Sequence, residues 1–259
     1  MLPKKFKPSY IPNSNLIRVG SIDDGGYVIP KNILHDIERL ISFGISDNWD
    51  FEKDLVSKTN CGVDAYDYSI NISFWINRFK IDLLKFLQLK IFKPKKIFKM
   101  FKFIDFIYFF HIKSNNNFFF KKIGIGKKEI SFLKTVSMYK NNIFLKIDIE
   151  GSEYEILREL IKFSNKKLVG IVIEFHDVSI NKEKIIKFID KVKKRLTLVH
   201  IHGNNYSVKS LKSDPEAIEM TFVNVKYLPN IKKKNSKKYP IKNLDFPNSK
   251  RSRDIILRF

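Results

Sequence analysis

Cysteine is almost missing from this 259-residue chain: Cys61 is the single thiol. An internal disulfide framework is therefore excluded, and a reducing compartment is expected. Long apolar runs are missing too. The longest, Phe103 to Ile112, is about half of the roughly 18 residues needed to span a bilayer, and Asp105 and His111 interrupt it. Met1 to Ser14 carries basic residues but no apolar h-region, so no secretory signal is expected and the expected location is cytoplasmic. Negative charge is scarce, with 27 acidic residues against 49 basic ones and a formal net charge of +22. No G-x-G-x-x-G fingerprint is present, which argues against nicotinamide chemistry. No RNA-binding signature is present either, so no specific nucleic-acid partner is expected.

What remains is a globular composition, 44% hydrophobic, long enough for one large domain over residues 1–259. The basic excess has two readings. It is either a partner signal, for nucleic acid, an anionic membrane or an acidic substrate, or a compositional bias, since Lys, Asn, Ile and Phe are abundant throughout. Apolar runs alternate with helical periodicity along the chain. Residues 16–30 read as two extended pieces around Asp24-Gly25-Gly26, a hairpin able to cover a ligand with Arg18 or Asp24 turned inward. Residues 38–46 read as the first core strand, ended by Gly44, with a helix bearing Phe51, Leu55 and Val56 behind it.

Gly62 to Asp67 is the second strand. Its terminal acid lies about 20 residues beyond Gly44, the separation at which an acid holds ribose hydroxyls in doubly wound folds. Phe118 to Ile125 is expected as a third strand. Ile143 to Ile149 follows as a buried strand that ends in Asp148, Glu150 and Gly151. The helix after it is expected to be capped by Ser152 and Glu155, with Glu153 in its first turn as a helix-dipole acid.

Leu168 to His176 repeats the pattern, delivering Glu174 and His176, and Leu196 to Ile201 leads to His200 and His202. Residues 218–225 alternate and read as a later, antiparallel strand, and Ile255 to Phe259 as one more edge strand. The succession implies a doubly wound, mostly parallel α/β sheet of Rossmann-like type with polar groups gathered at strand ends.

Two stretches stand apart. Residues 74–113 hold ten basic residues against Asp82 and Asp105, and aromatics run through them; Pro94 divides them into two amphipathic helices. This insertion can serve as a lid, an acceptor surface or a patch in peripheral contact with an anionic membrane, and its bland reading is a covering layer with solvated lysines. The basic loop at 230–250 is expected to be a solvated excursion over 230–243.

The run Lys-Ile-Asp-Ile-Glu-Gly-Ser-Glu at 146–153 resembles the signature of FkbM-type S-adenosylmethionine-dependent methyltransferases. Arg18-Val-Gly with Asp24-Gly-Gly-Tyr-Val, Ser42-Phe-Gly-Ile-Ser-Asp47 with Phe51-Glu52, and His202-Gly-Asn-Asn205 are similar to flanking pieces of that family. The resemblance implies the class I methyltransferase fold with the last strand antiparallel, S-adenosyl-L-methionine as cofactor, and O-methylation of a sugar, nucleotide-sugar or glycan-related substrate. One departure is the glycine-rich first motif, reduced here to Gly44.

Methyl transfer to a hydroxyl needs alignment and removal of a proton, by a general base or with a metal. Asp148 and His176, with His202, are the catalytic candidates. Asp148 and Glu174 are the candidate ligands of a divalent metal such as Mg. Gly44, Asp67, Asp148 and Glu150 are the cofactor candidates, Glu150 for the methionine amino group. The alternative is a basic α/β protein that carries the 74–113 surface to RNA or an anionic membrane without methyl transfer.

Overall fold

The fold is described from a computed structural model covering residues 1–87, 102–113, 115–124, 129–163, 167–207, 214–229 and 235–259, without the side chains of 85–87. The expected break at Pro94, most of the second insertion helix, the end of the third strand at Ile125, and part of the 230–243 loop lie outside the described residues. In chain order the strands are β1 (Leu16–Gly20), β2 (Gly26–Pro30), β3 (Arg39–Phe43), β4 (Gly62–Tyr66), β5 (Asn116–Phe119), β6 (Ile143–Ile147), β7 (Leu168–Phe175), β8 (Leu196–Asn204) and β9 (Ala217–Asn224). The described α-helices are α1 (Asp50–Thr59), α2 (Ile72–Leu87), α3 (Lys102–Ile107), α4 (Phe132–Ser137), α5 (Glu153–Phe163) and α6 (Val178–Val192).

Seven strands form one sheet in the order β5-β4-β3-β6-β7-β9-β8. The pairs from β5 to β7 are parallel, while β9 runs antiparallel between β7 and β8. Every residue of β4, β6, β7 and β9 is buried. That is why β6 and β7 read as near-continuous apolar runs, while β9, with Glu219 and Thr221 among its buried residues, reads as alternating. The doubly wound, mostly parallel class read from the sequence is therefore the observed one, with its late antiparallel strand. The chain moves outward from β3 to β4 and β5, then returns to place β6 on the other side of β3. The switch point thus lies between the carboxyl ends of β3 and β6, where ligands bind in open α/β sheets.

Residues 16–30 form the expected antiparallel hairpin of β1 and β2. It is tied to the main sheet by Thr221, whose hydroxyl donates to the Val28 carbonyl at 2.7 Å. Three boundaries differ from expectation. The third strand begins and ends earlier, at Asn116–Phe119. The carboxyl-terminal stretch makes a single antiparallel bridge, Tyr239 with Leu257, not an edge strand. The loop from 235 onward is not a solvated excursion: Asn235, Tyr239, Ile241 and Asp245 are buried. The Tyr239 ring packs edge-on to His200, which gives a residue in a Lys-rich loop an apolar anchor.

Candidate active site

Gly44 closes β3 with φ +79, and a Cβ built there would stand 1.7 Å from the Asp148 carbonyl. Only glycine permits this approach of the two strand ends. Asp148 N donates to the Phe43 carbonyl at 2.9 Å, locking β3 to β6 at the switch point. Under this junction Lys146, inside β6 and buried, donates to the Gly44 carbonyl at 3.0 Å and pairs with Glu52 of α1 at 3.2 Å. Burial opposes the ammonium, but Glu52 and Asp148 outweigh it and its pKa is raised. A lysine in an apolar strand needs such a partner. Lys146 and Glu52 both belong to the pieces that carry the family resemblance, but the sequence reading gave neither a role, although a charge within a buried strand was the available signal.

Asp67, just past β4, holds the loop after Gly44. Its Oδ2 accepts from the backbone N–H groups of Ile45 and Ser46 at 2.9 and 2.8 Å, and its Oδ1 from Ser69 N and Oγ at 2.7 and 2.6 Å. A carboxylate has about four acceptor positions, and these four donors fill them. Asp67 therefore shapes the pocket wall. Gly44, Asp67, Asp148 and Glu150, the four cofactor candidates, line one cavity of about 340 Å³ together with Ile45, Tyr68 and Ile123.

The turn after β6 brings the acids together. Glu150 and Gly151 both take positive φ, 52 and 98, and the chain doubles back into α5. Glu153 is fully buried inside this turn: Oε1 accepts from Ile149 N at 3.0 Å and Oε2 from Gly151 N at 3.0 Å. Its Oε1 also lies 3.0 Å from Nδ1 of His176. Glu153 thus does more than serve the helix dipole; it satisfies the turn and orients the imidazole. Doubled-back N–H groups needing an acceptor were the sequence signal for this role.

The other ring nitrogen, Nε2, faces Glu150 at 3.5 Å, Glu174 at 3.7 Å and Asp148 at 3.9 Å. Burial works against the His176 cation, yet Glu153, Glu174 and Asp148 carry its pKa up to about 10. Asp148 is pushed up to about 6 by burial, against the pull of Lys146 and His176. Glu174 is raised well above the carboxylate range by burial and by Asp148 and Glu219, and it accepts from Asn204 Nδ2 at 2.8 Å. Asp148, Glu174 and His176 each offer one ligand atom, all within 4.8 Å of one another.

Tyr27 of β2 reaches down from the hairpin, its hydroxyl 3.4 Å from Asp148 Oδ2. Burial and the surrounding acids raise its pKa. Arg18 does not turn toward a ligand. Its guanidinium donates to the carbonyls of Ser21, Asp23 and Leu244 and so braces the hairpin turn. Asp24 lines the cavity, with Oδ1 accepting from Asn248 at 2.9 Å.

His202 corrects the sequence reading. It is 1% exposed, with Nδ1 3.1 Å from Glu219 and Nε2 3.0 Å from Asp254, so neither nitrogen is left to meet a substrate. The two carboxylates overcome burial and carry its pKa up to about 10. This geometry makes His202 a structural cation, not a catalytic group. His200 is likewise buried, against Asp245.

A second cavity of about 1150 Å³ adjoins the first and shares Asp24, Asp47 and Asn48 with it. Its walls include Trp49, Ile104, Tyr108 and Tyr206, the acids Asp23, Asp50 and Asp105, and the bases Lys53, Lys102, Lys250 and Arg251. Lys53 pairs with Asp105 at 2.6 Å and Lys250 with Asp23 at 2.8 Å.

Among solved structures, the chain is similar to an rRNA methylase from Streptococcus thermophilus, at 9% identity and TM-score 0.41, covering 74% of this chain and 92% of that one. It is also similar to a putative methyltransferase from Streptococcus mutans in complex with SAH, at 9% identity and TM-score 0.39, covering 74% and 94%. A third is the Methanococcus jannaschii fibrillarin pre-rRNA processing protein, at 13% identity and TM-score 0.40, covering 74% and 68%. No curated protein matches the sequence. Residues 115–224, the span that carries Asp148, Glu150, Glu153, Glu174 and His176, match the methyltransferase FkbM domain.

Proposed function

We propose that the protein is an S-adenosylmethionine-dependent O-methyltransferase whose acceptor is a sugar or a glycan-related polyol. One observation carries the reading: Asp148 lines the cavity at the switch point and also belongs to the carboxylate and imidazole cluster. A cofactor wall and a proton acceptor therefore meet at one side chain.

When bound, adenosylmethionine supplies a methyl group on a sulfonium centre. Gly44 and the loop held by Asp67 form the floor of its cavity, Tyr68 and Ile123 offer faces to a nucleobase, and Glu150 offers a carboxylate to an ammonium. The acceptor hydroxyl gives its proton to the Asp148 carboxylate. His176, held by Glu153, supports the ionised form of Asp148 as a neighbouring cation. The second cavity would take the acceptor, because it opens onto the first through Asp24, Asp47 and Asn48. Its lining holds five acids and four bases in a chain of net charge +22, with aromatic side chains among them. Such a wall suits hydroxyl groups and sugar faces better than a polyphosphate backbone, which selects for unpaired cations.

A second reading uses the same cluster. Asp148, Glu174 and Nε2 of His176 are close enough to share a divalent ion, with Glu153 accepting from Nδ1 in the manner of a carboxylate behind a ligating histidine. A single set of measurements tests both readings. Unfolding midpoints with and without adenosylmethionine or adenosylhomocysteine test the cofactor. Labelled methyl transfer to sugars, nucleotide sugars and RNA, with and without chelator, tests the acceptor and the ion. No midpoint shift at millimolar ligand sinks the proposal, and transfer to RNA alone sinks its acceptor.

A further inference from the structure

Adenosylmethionine carries a carboxylate as well as its positive groups, and the cavity proposed for it is rich in acids. Asp24, Asp47, Asp67, Asp148 and Glu150 all line it, which suits an ammonium and a sulfonium. A carboxylate brought among them must find donors of its own. Backbone N–H groups after a first strand are the common anion cradle, but here they are spent. Gly44 N donates to the Tyr66 carbonyl at 2.9 Å, Ile45 N and Ser46 N to Asp67, and Asn48 N to the Ile45 carbonyl at 3.0 Å. On the β6 side, Asp148 N donates to the Phe43 carbonyl, and Ile149 N and Gly151 N to Glu153. Side-chain cations are left to meet an anion.

Lys121, Lys122 and Lys146 are the cations of the lining. Lys121 is exposed, and Lys122 pairs with Glu129 at 2.6 Å. Both adjoin Ile123, on the side of the cavity proposed for the nucleobase. Lys146 differs in place and in burial. It is 2% exposed, and it lies in β6 two residues before Asp148, against the Gly44 carbonyl. An ammonium has three N–H groups to satisfy. The Gly44 carbonyl at 3.0 Å and Glu52 at 3.2 Å take two of them. Among the described residues the third has no acceptor, and a buried charged donor left unmet is costly.

We infer that Lys146 binds the carboxylate of the cofactor's methionine tail, using the N–H group that the fold leaves unspent. Glu52 is then a positioning residue, since its pairing holds the ammonium beside the Gly44 carbonyl. Lys146 and Glu150 divide the two charges of the tail between a buried cation and a rim acid. The inference rests on the adenosylmethionine reading of this cavity, and it does not depend on which acceptor is methylated.

Calorimetric titration of the full chain with adenosylhomocysteine and with its decarboxylated analogue, which keeps the amine and lacks only the carboxylate, tests it. The wild type should bind adenosylhomocysteine at least about tenfold tighter than the analogue. The double variant Lys146→Met with Glu52→Gln removes both charges, so that neither is left buried alone, and circular dichroism checks its fold. It should bind adenosylhomocysteine at least about tenfold more weakly than the wild type does, and the analogue within about threefold. Equal weakening toward both ligands would make Lys146 a support of the pocket only and overturn the inference. A wild type that binds the two ligands alike would overturn it too, and that comparison needs no variant to fold. A wild type that binds neither ligand sinks the cofactor reading itself, and the role of Lys146 with it.

Discussion

Replacing His202 by glutamine tests whether its ring is a structural cation. The imidazole is buried between Glu219 and Asp254, and its pKa is carried from the ordinary 6.5 up to about 10. A folded-state value above the unfolded one means the stabilisation is full below about pH 6.5 and is lost as pH rises toward 10. The slope can reach about 1.4 kcal/mol per pH unit over that window, which sets a ceiling of about 5 kcal/mol. Removing one partner from a buried ion cluster costs about 3–5 kcal/mol, and glutamine can still donate one hydrogen bond, so a loss of about 3 kcal/mol is expected near pH 6.5. Urea unfolding of both proteins at pH 6.5, 8 and 9.5 and constant ionic strength reads it. The wild type should lose stability steadily across the series, and the variant should lose much less, so the two curves converge. Parallel curves would refute the reasoning, because lysine titration in a chain of this charge affects both proteins alike.

Glu153→Ala leaves the Ile149 and Gly151 N–H groups and His176 Nδ1 without their acceptor, at about 1–3 kcal/mol for each orphaned donor. Because Glu150 beside them is exposed, water can reach part of the turn, and a net loss of about 2–4 kcal/mol in urea unfolding is expected; under about 1 kcal/mol would show that the turn holds itself. Gly44→Ala forces a Cβ onto the Asp148 carbonyl at a positive φ and should yield no stably folded protein, as read by circular dichroism. Asp148→Asn is nearly isosteric and should retain adenosylhomocysteine binding by calorimetry while lowering methyl transfer by about a hundredfold or more. Wild-type turnover in that variant would remove Asp148 from the proton path.

The sheet was legible because parallel strands buried on both faces must be written as apolar runs, and β3, β6 and β7 were. Acids ending those runs pointed to the right rim of the sheet, and Gly44, Asp67, Asp148 and Glu150 do line one cavity there. What could not be read was which groups spend their hydrogen bonds on the protein itself. Asp67 at a strand end looks the same in sequence whether its oxygens face a ligand or four local donors. His202 looked free because Asp254, which occupies Nε2, lies 52 residues away, just before the Ile255 to Phe259 stretch expected as an edge strand. Glu153 erred in the other direction, since an acid at a helix start has a sufficient local explanation that hides its contact with His176, 23 residues away.

The distribution of charge gives these separate features a common sense. In a chain of net charge +22, Asp148, Glu174, Glu219 and Asp254 with His176 and His202 stand along the ends or flanks of β6, β7, β9 and β8. Register pairs Glu174 with Glu219 and Glu219 with His202, so three neighbouring strands present acid, acid and imidazole in a row. Such a row of buried carboxylates is tolerable only with cations between them, and the two histidines supply these at either end. Among the described residues the row is most open at the Asp148 end, where His176 is partly exposed and Glu150 is 86% exposed. In the proposed reading the proton acceptor lies at that end. A substitution at the far end, such as His202→Gln, should consequently lower stability while leaving the adenosylhomocysteine affinity of the folded protein unchanged. An affinity change of tenfold or more in that variant would show that wall and opening are coupled.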